Sequence, residues 1–394
     1  MKFKIIKFGI LVPLLIFSFF SCKEDSNDST WLANSNTDPI EVYKVVDPIN
    51  YDAIITEAKI KQLIKLVGKN LDNVKTVSIN GVVLEMPLDA NLLNGVLYVR
   101  IPYERPADDK IDNLITLTDI YGNVVTTPIS IFIPSISALG MDFEWAAEGS
   151  EMTILGDFFD FYQMVDSLGA EVTIGGVKAP ILKTSPTELT VKVPAGAGEN
   201  SDIILTNPKG LTVTCNSKYK NTDAVITNFS DRTLHSRFGK WIYKDAAVDA
   251  DDPEPIDGMY LQYKGEHPGG WNSEGWGVLD MYSGDNPNIP TDINTNRSAY
   301  NFKFEAWTEN KLEAFLVRFE FESWDPGETR CWWYTEGESN EPVVGKWQTI
   351  VIPAEKIAGN NSPLGDIKCF RIVDQSSEGG YFNIAIDNPR FVLK

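Results

Sequence analysis

Few side chains in this 394-residue chain could carry polar catalysis. There are two histidines, His235 and His267, so an imidazole-based or multi-histidine metal site is close to excluded by supply. Cys22, Cys215, Cys331 and Cys369 lack the CxxC spacing of a thiolate metal site. They are too few for a disulfide framework; a Cys331–Cys369 bridge is open, and buried free thiols are the simpler reading. Glu320 and Glu322 would project from one strand face about 7 Å apart, a separation that inverting glycosidases use. An acid and base must flank the scissile bond from opposite sides, however, and in a chain with 55 acidic residues such pairs arise by chance. The remaining chemistry is aromatic. Eight of ten tryptophans fall between Trp241 and Trp347, and "TRCWWYTEG" sets Trp332, Trp333 and Tyr334 side by side. Neighbours on a strand point to opposite faces, so at least one of these rings should meet solvent, where large apolar rings mark contact surfaces.

The strands that would position these rings are plain. "YNFKFEAW" (300–307) alternates Phe302, Phe304 and Ala306 against Asn301, Lys303, Glu305 and Trp307. "LEAFLVRFEFESW" (312–324) alternates Phe315, Val317, Phe319 and Phe321 against Leu316, Arg318, Glu320, Glu322 and Trp324. If the apolar phase is core, Trp307 and Trp324 face outward. "HPGGWNSEGWGV" (267–278) puts Trp271 and Trp276 in a Gly-rich loop. "KWQTIVIP" (346–353) and "YFNIAIDNPRFVL" (381–393) close the fold, with Trp241 and Trp347 assigned to structure. Flat rings edged by hydrogen-bonding groups suit a polysaccharide, whose pyranose C–H faces stack while its hydroxyls need donors and acceptors.

Upstream the chain repeats itself. "IKLVGKNLDNVKTVSINGV" (64–82), "LYVRIP" (97–102) and "ITLTDIYGN" (115–123) are matched in order by "MTILGDFFD" (152–160), "AEVTIGGVKA" (170–179), "LTVKVP" (189–194) and "IILTNPKGL" (203–211). Short alternating strands between turn residues predict one β-sandwich per copy. The one helical candidate is 50–63. These G-x-N-L…S-I-N-G and T-I-L-G…T-I-G-G-V cores resemble IPT/TIG immunoglobulin-like domains over 40–134 and 135–218. The fold class expected is therefore all-β: two tandem Ig-like sandwiches followed by a larger jelly-roll-like carbohydrate-binding sandwich at 219–394.

The N-terminus carries Lys2, Lys4 and Lys7, an apolar run from Ile10 to Phe20, then Ser21-Cys22 before Lys23, Glu24 and Asp25. The run is too short to span a bilayer. It resembles a bacterial lipoprotein signal of residues 1–21, with Phe19 in place of the usual Leu, and implies that Cys22 is lipidated; an ordinary signal peptide is the alternative. Residues 22–39 read as a flexible tether. The net charge of −20 repels phosphate backbones and argues against nucleic acid.

Taken together, the signal, repeats and aromatic C-terminal region resemble the surface glycan-binding lipoproteins of Bacteroidota polysaccharide-utilisation systems, of the surface glycan-binding protein B type. That resemblance implies a lipid-anchored protein on the outer-membrane surface, working beside a SusC/SusD-like transport pair. It implies retention of a neutral β-linked plant polysaccharide, xyloglucan or a related hemicellulose, without catalysis. The implied platform draws on Trp271, Trp276, Trp307, Trp324, Trp332, Trp333 and Tyr334. No cofactor is assigned; jelly-roll modules often hold a structural calcium, but "DAAVDADDPEPIDG" (245–258) lacks EF-hand spacing and reads as a solvated acidic loop. A surface adhesin for host protein and a glycoside hydrolase are the rival readings.

Overall fold

The computed structural model describes residues 38–104, 111–230, 236–237, 240–270, 276–279, 288–290, 292–293, 295–312, 315–322, 329–333, 343–356 and 369–394. Strands dominate, and no α-helix occurs among the described residues. The chain forms two compact units that divide between Phe132 and Ile133.

The first unit is a sandwich of two antiparallel sheets. One joins β1 (Glu41–Val46), β3 (Leu63–Lys69), β7 (Val96–Arg100) and β6 (Ala90–Leu93) in that order. The other joins β5 (Val82–Val83), β4 (Val74–Ile79), β8 (Leu114–Asp119) and β9 (Val124–Pro128). Alternate residues Ile64, Leu66, Val77, Ile79, Leu97, Val99, Ile115 and Leu117 are wholly buried, as period-two patterning requires. The predicted helix at 50–63 does not form. Residues 57–59 become β2 (Glu57–Lys59), paired in parallel with β10 (Ser130–Phe132), and buried Ala58 anchors the pair. A weak helical period yields to a ladder supplied from 70 residues downstream.

The second unit begins with a sandwich of the same topology. Its sheets run β11 (Ser137–Met141), β12 (Glu151–Asp157), β16 (Glu188–Lys192), β15 (Ile181–Thr184) and β14 (Val177–Ala179), β13 (Glu171–Ile174), β17 (Ile203–Thr206), β18 (Thr212–Thr214). The repeated turn motif has one cause in both copies. Asn80-Gly81 and Gly175-Gly176 each hold two successive positive φ angles, 48° and 80°, 59° and 79°. Two positive φ values in a two-residue loop define a type I′ hairpin, which Asn and Gly reach at least cost.

The C-terminal sandwich packs two five-stranded antiparallel sheets. The front sheet is β19 (Ser236–Arg237), β22 (Trp276–Leu279), β27 (Cys369–Ser376), β24 (Phe315–Glu322), β25 (Thr329–Trp333). The back sheet is β20 (Trp241–Lys244), β21 (Tyr260–His267), β28 (Gly380–Leu393), β23 (Tyr300–Thr308), β26 (Gln348–Pro353). Phe302, Phe304 and Ala306 from the back sheet meet Val317, Phe319 and Ile372 from the front, all fully buried. Phe304 and Phe319 have ring centroids 4.6 Å apart.

This sandwich is tied to the preceding Ig-like domain by a buried charge network. Glu144, between β11 and β12, accepts bonds from Lys303 (2.5 Å) and Arg390 (2.6 Å). Arg390 also reaches Glu305 at 2.7 Å, and its guanidinium lies 4.3 Å from the Trp145 ring centroid. Burial alone would raise the Glu144 pKa, but the two cations hold it below the usual carboxylate range. Glu305 goes the other way: its burial outweighs Arg390 and raises it. A main-chain bond reinforces the junction, the Thr349 N–H donating to the Asp142 carbonyl at 2.8 Å.

Candidate functional site

Strand register assembles the candidate site on the front sheet. Trp276 of β22 pairs with Val373 of β27, Val373 with Arg318 of β24, and Arg318 with Trp332 of β25. Directly paired residues of an antiparallel ladder share a face. These four positions therefore form one row across the sheet. The core-facing residues of β24, Val317 and Phe319, are the intervening ones, so the row lies on the other face of the sheet, where Val373 is itself fully covered. Three ladder steps separate its two tryptophan positions, about 14 Å, a length that suits an oligosaccharide rather than one sugar ring.

A second row flanks the first two residues away. Val278, Arg371, Glu320 and Arg330 are successive cross-strand partners there. Aromatic positions beside positions bearing hydrogen-bonding side chains are what a polysaccharide requires. Glu320 occupies a place between two arginine positions.

The expected site residues divide as follows. Trp276 stands on a front-sheet strand, where the sequence suggested a loop, and it shares a row with Trp332. Trp333 pairs with Val317, itself paired with buried Asp374, and so falls in the core-facing register. Cys22, Trp271, Trp324 and Tyr334 lie outside the described residues. Cys331 and Cys369 belong to strands on opposite sides of β24, opposite Phe319 and Glu322. Two strand spacings, about 9–10 Å, exceed the roughly 7 Å limit for a disulfide, so the bridge left open by the sequence does not form.

Trp307 needs correction: the expectation that it faces solvent beside Arg318 fails twice. Its strand, β23, belongs to the back sheet, whereas β24 belongs to the front. Its side chain is also only 8% exposed. The alternation was read correctly, since Trp307 pairs with Ala385 and packs with Tyr260 and Trp347 in a cluster apart from the main core. The 245–258 segment holds two of these neighbours, and though it is solvated along much of its length it buries Asp252 and Pro253. Asp252 is buried and accepts bonds from Lys264 (2.8 Å), Lys244 (3.2 Å) and Gln262 (2.9 Å). The Pro253 carbonyl accepts the Tyr260 hydroxyl at 3.0 Å, and the Glu254 carbonyl accepts the Trp347 indole at 2.9 Å. The oxygens of Asp249, Asp251 and Asp252 lie close enough to hold a cation, but the Lys264 ammonium sits 2.8–2.9 Å from all three.

Sequence reasoning missed the residues that anchor the approach to β22. Buried Asp374, next to Val373, accepts the Trp241 indole at 2.9 Å and lies 3.4 Å from His267. His267 Nδ1 accepts the Gly269 N–H at 3.0 Å, which fixes the first turn after β21. Gly269 (φ 77°) nests so tightly that an added Cβ would stand 2.4 Å from the Gly379 nitrogen. The only sequence signal was the Pro-Gly-Gly run after His267.

Comparison with known proteins bears on the domain that carries this face. Residues 219–393 match the family model described as "Surface glycan-binding protein B xyloglucan binding domain", and residues 134–222 match the IPT/TIG domain. The structure resembles that of a surface glycan-binding protein, SGBP-B, from Prevotella bryantii, with TM-score 0.59 and 20% identity over 90% of this chain and 99% of that one. It also resembles SGBP-B from a complex xyloglucan utilization locus in Bacteroides uniformis, with TM-score 0.53 and 15% identity over 91% and 99%. No curated protein matches the chain.

Proposed function

We propose that this chain, in which an IPT/TIG domain precedes a domain of the surface glycan-binding protein B xyloglucan-binding family, retains a neutral β-linked plant polysaccharide on the outer face of its front sheet. Xyloglucan or a related hemicellulose is the ligand. The observation that carries the reading is the row Trp276–Val373–Arg318–Trp332, which sets two indole positions on the non-core face of the domain so matched. Trp271, Trp324 and Tyr334 extend the platform in this reading. Each ring stacked on a sugar contributes about 1–3 kcal/mol, by analogy with base stacking on aromatic platforms. Two or three rings then give micromolar to millimolar affinity after ordering costs. Repetition along the polymer raises retention through multivalency.

The remaining parts of the reading follow the same family. Cys22 carries the lipid that anchors the chain to the outer membrane at the cell surface. The two Ig-like domains act as spacers, and a SusC/SusD-like pair receives the captured glycan. The protein binds without cleaving.

Affinity electrophoresis of the whole chain in gels containing xyloglucan, mixed-linkage glucan or galactomannan tests this. Trp276→Ala and Trp332→Ala should each weaken retention about tenfold or more, one stack's worth, with unchanged migration in glycan-free gels. Wild-type retardation in both variants removes the front-sheet platform from consideration. New reducing ends after incubation with glycan would instead favour the hydrolase.

A further inference from the structure

The first Ig-like sandwich has an aromatic, basic face of its own. Along β3, Ile64 and Leu66 point into the core, so Leu63, Lys65 and Val67 point out. Lys65 pairs with Tyr98 of β7, and Tyr98 with Asn91 of β6, which makes one row on the outer face of that sheet. Lys44 of β1 stands opposite Val67, and Arg100 of β7 opposite Leu63. Both are therefore diagonal neighbours of Lys65, one on each side. The line Lys44–Lys65–Arg100 crosses three strands over about 15 Å.

One ring on this face is held in place before any ligand arrives. After β1 the chain closes a loop in which the Asp47 N–H donates to the Ala53 carbonyl and the Ala53 N–H to that of Asn50, both at 3.0 Å. The Asp47 carboxylate accepts the Ile49 and Asn50 N–H groups at 2.8 Å. Tyr51 belongs to this loop. The Lys65 ammonium lies over its ring, 3.6 Å from the centroid, and 5.9 Å from that of Tyr98. The Lys44 ammonium donates to the Tyr51 carbonyl at 3.5 Å. Tyr51 is nonetheless 53% exposed. A large ring fixed by two cations and left half in water is preorganised for stacking, with little ordering entropy still to lose.

Charge indicates what would stack there. The chain carries a net charge of −20, yet Lys44, Lys61, Lys65 and Arg100 gather at this face and none of them is in an ion pair among the described residues. Lys61 lies over the Tyr103 ring, 3.9 Å from its centroid, and Arg100 donates to the Lys61 carbonyl at 3.2 Å. Asp47 is engaged by its own loop, and Asp38 lies 3.9 Å from Lys69, beyond the row. Salt screens the rest of the acidic chain beyond about 8 Å, so the local cations govern a contact here. Rings beside unpaired cations match a sugar polymer that bears carboxylates on some of its residues: the C–H faces stack, and a carboxylate takes the guanidinium fork. A densely charged polymer such as nucleic acid would meet the repulsion of the whole chain. Leu63 and Val67 are half-buried and leave little apolar surface to enter a bilayer.

We propose that this outer face of the β1–β3–β7 sheet, through Tyr51, Tyr98, Lys44, Lys65 and Arg100, binds a uronate-bearing polysaccharide. The site shares no residue with the Trp276–Trp332 row and gives the first Ig-like domain a binding role beyond spacing.

Titration calorimetry of the whole chain with polygalacturonate, and with the same polymer methyl-esterified, tests this. Polygalacturonate should bind, more weakly as salt rises, and the ester should bind about tenfold less tightly. Tyr51→Ala should weaken polygalacturonate binding about tenfold, one stack's worth. Lys65→Gln should weaken it about two- to fivefold, as loss of an exposed charge pair does. Both variants should keep the wild-type melting temperature and xyloglucan retention. Trp276→Ala should bind polygalacturonate as wild type does, which separates this site from the front sheet. Absence of polygalacturonate binding, equal binding of acid and ester, or wild-type binding in both Tyr51→Ala and Lys65→Gln overturns the proposal. Co-sedimentation with phosphatidylglycerol vesicles that Lys65→Gln abolishes, without polygalacturonate binding, would assign the face to a lipid surface instead.

Discussion

A single buried carboxylate decides the fate of the 245–258 loop. Burial alone would raise the Asp252 pKa; the Lys264 ammonium, then Gln262, the Asp249 N–H and Lys244, overcome it and hold it far below the ordinary 3.8. A carboxylate lowered in the folded state stabilises that state above its unfolded pKa, and the contribution is lost as pH falls through the folded value. Asp252→Asn should therefore cost about 1–3 kcal/mol near neutrality, with the gap to wild type closing as the buffer is taken below pH ~4. Urea titrations across that range measure it, and a gap that does not narrow on acidification would reject the charge-based account. The same variant should loosen the segment that holds the Trp347 indole, seen as red-shifted tryptophan emission.

Turns and ladders set the next level. The β21–β22 connection begins with His267, whose ring accepts from Gly269, and Gly269 abuts the β27–β28 turn at Gly379. A methyl group there has no room and φ 77° is unfavourable for any residue with a Cβ. Gly269→Ala should destabilise the sandwich by more than about 1 kcal/mol and misplace the start of β22, lowering glycan retention. Gly176→Ala, in a hairpin turn where an added Cβ meets open space, carries only the φ penalty and should leave retention intact. Equal loss of retention in both variants would separate the β21–β22 turn from the site.

At the level of the assembled chain, the Glu144–Arg390–Glu305 network makes the second Ig-like domain and the C-terminal sandwich one structural unit. Removing one partner of a buried pair leaves the other charged and unmatched, at about 3–5 kcal/mol. Arg390→Met should lower the calorimetric transition of both domains together. Two separate transitions in the wild type, only one of them shifted in the variant, would mean that the domains unfold independently.

Much of the architecture was legible in the sequence because period-two alternation and paired turn residues are local signals. The cores of both Ig-like copies and the Phe302–Phe304–Ala306 face of β23 follow directly from it, as do the Asn-Gly and Gly-Gly hairpins. Alternation also placed Trp307 off the main core, correctly. It could not tell which sheet a strand joins or what lies over its outer face, since both depend on partners far away in the chain. Hence Trp307 went to the back sheet beside Tyr260 and Trp347, and Trp332, rather than Trp333, came into register with Trp276 across two intervening strands. Composition and spacing settled what kind of surface this protein can build; long-range pairing, which no local pattern encodes, chose which rings share it.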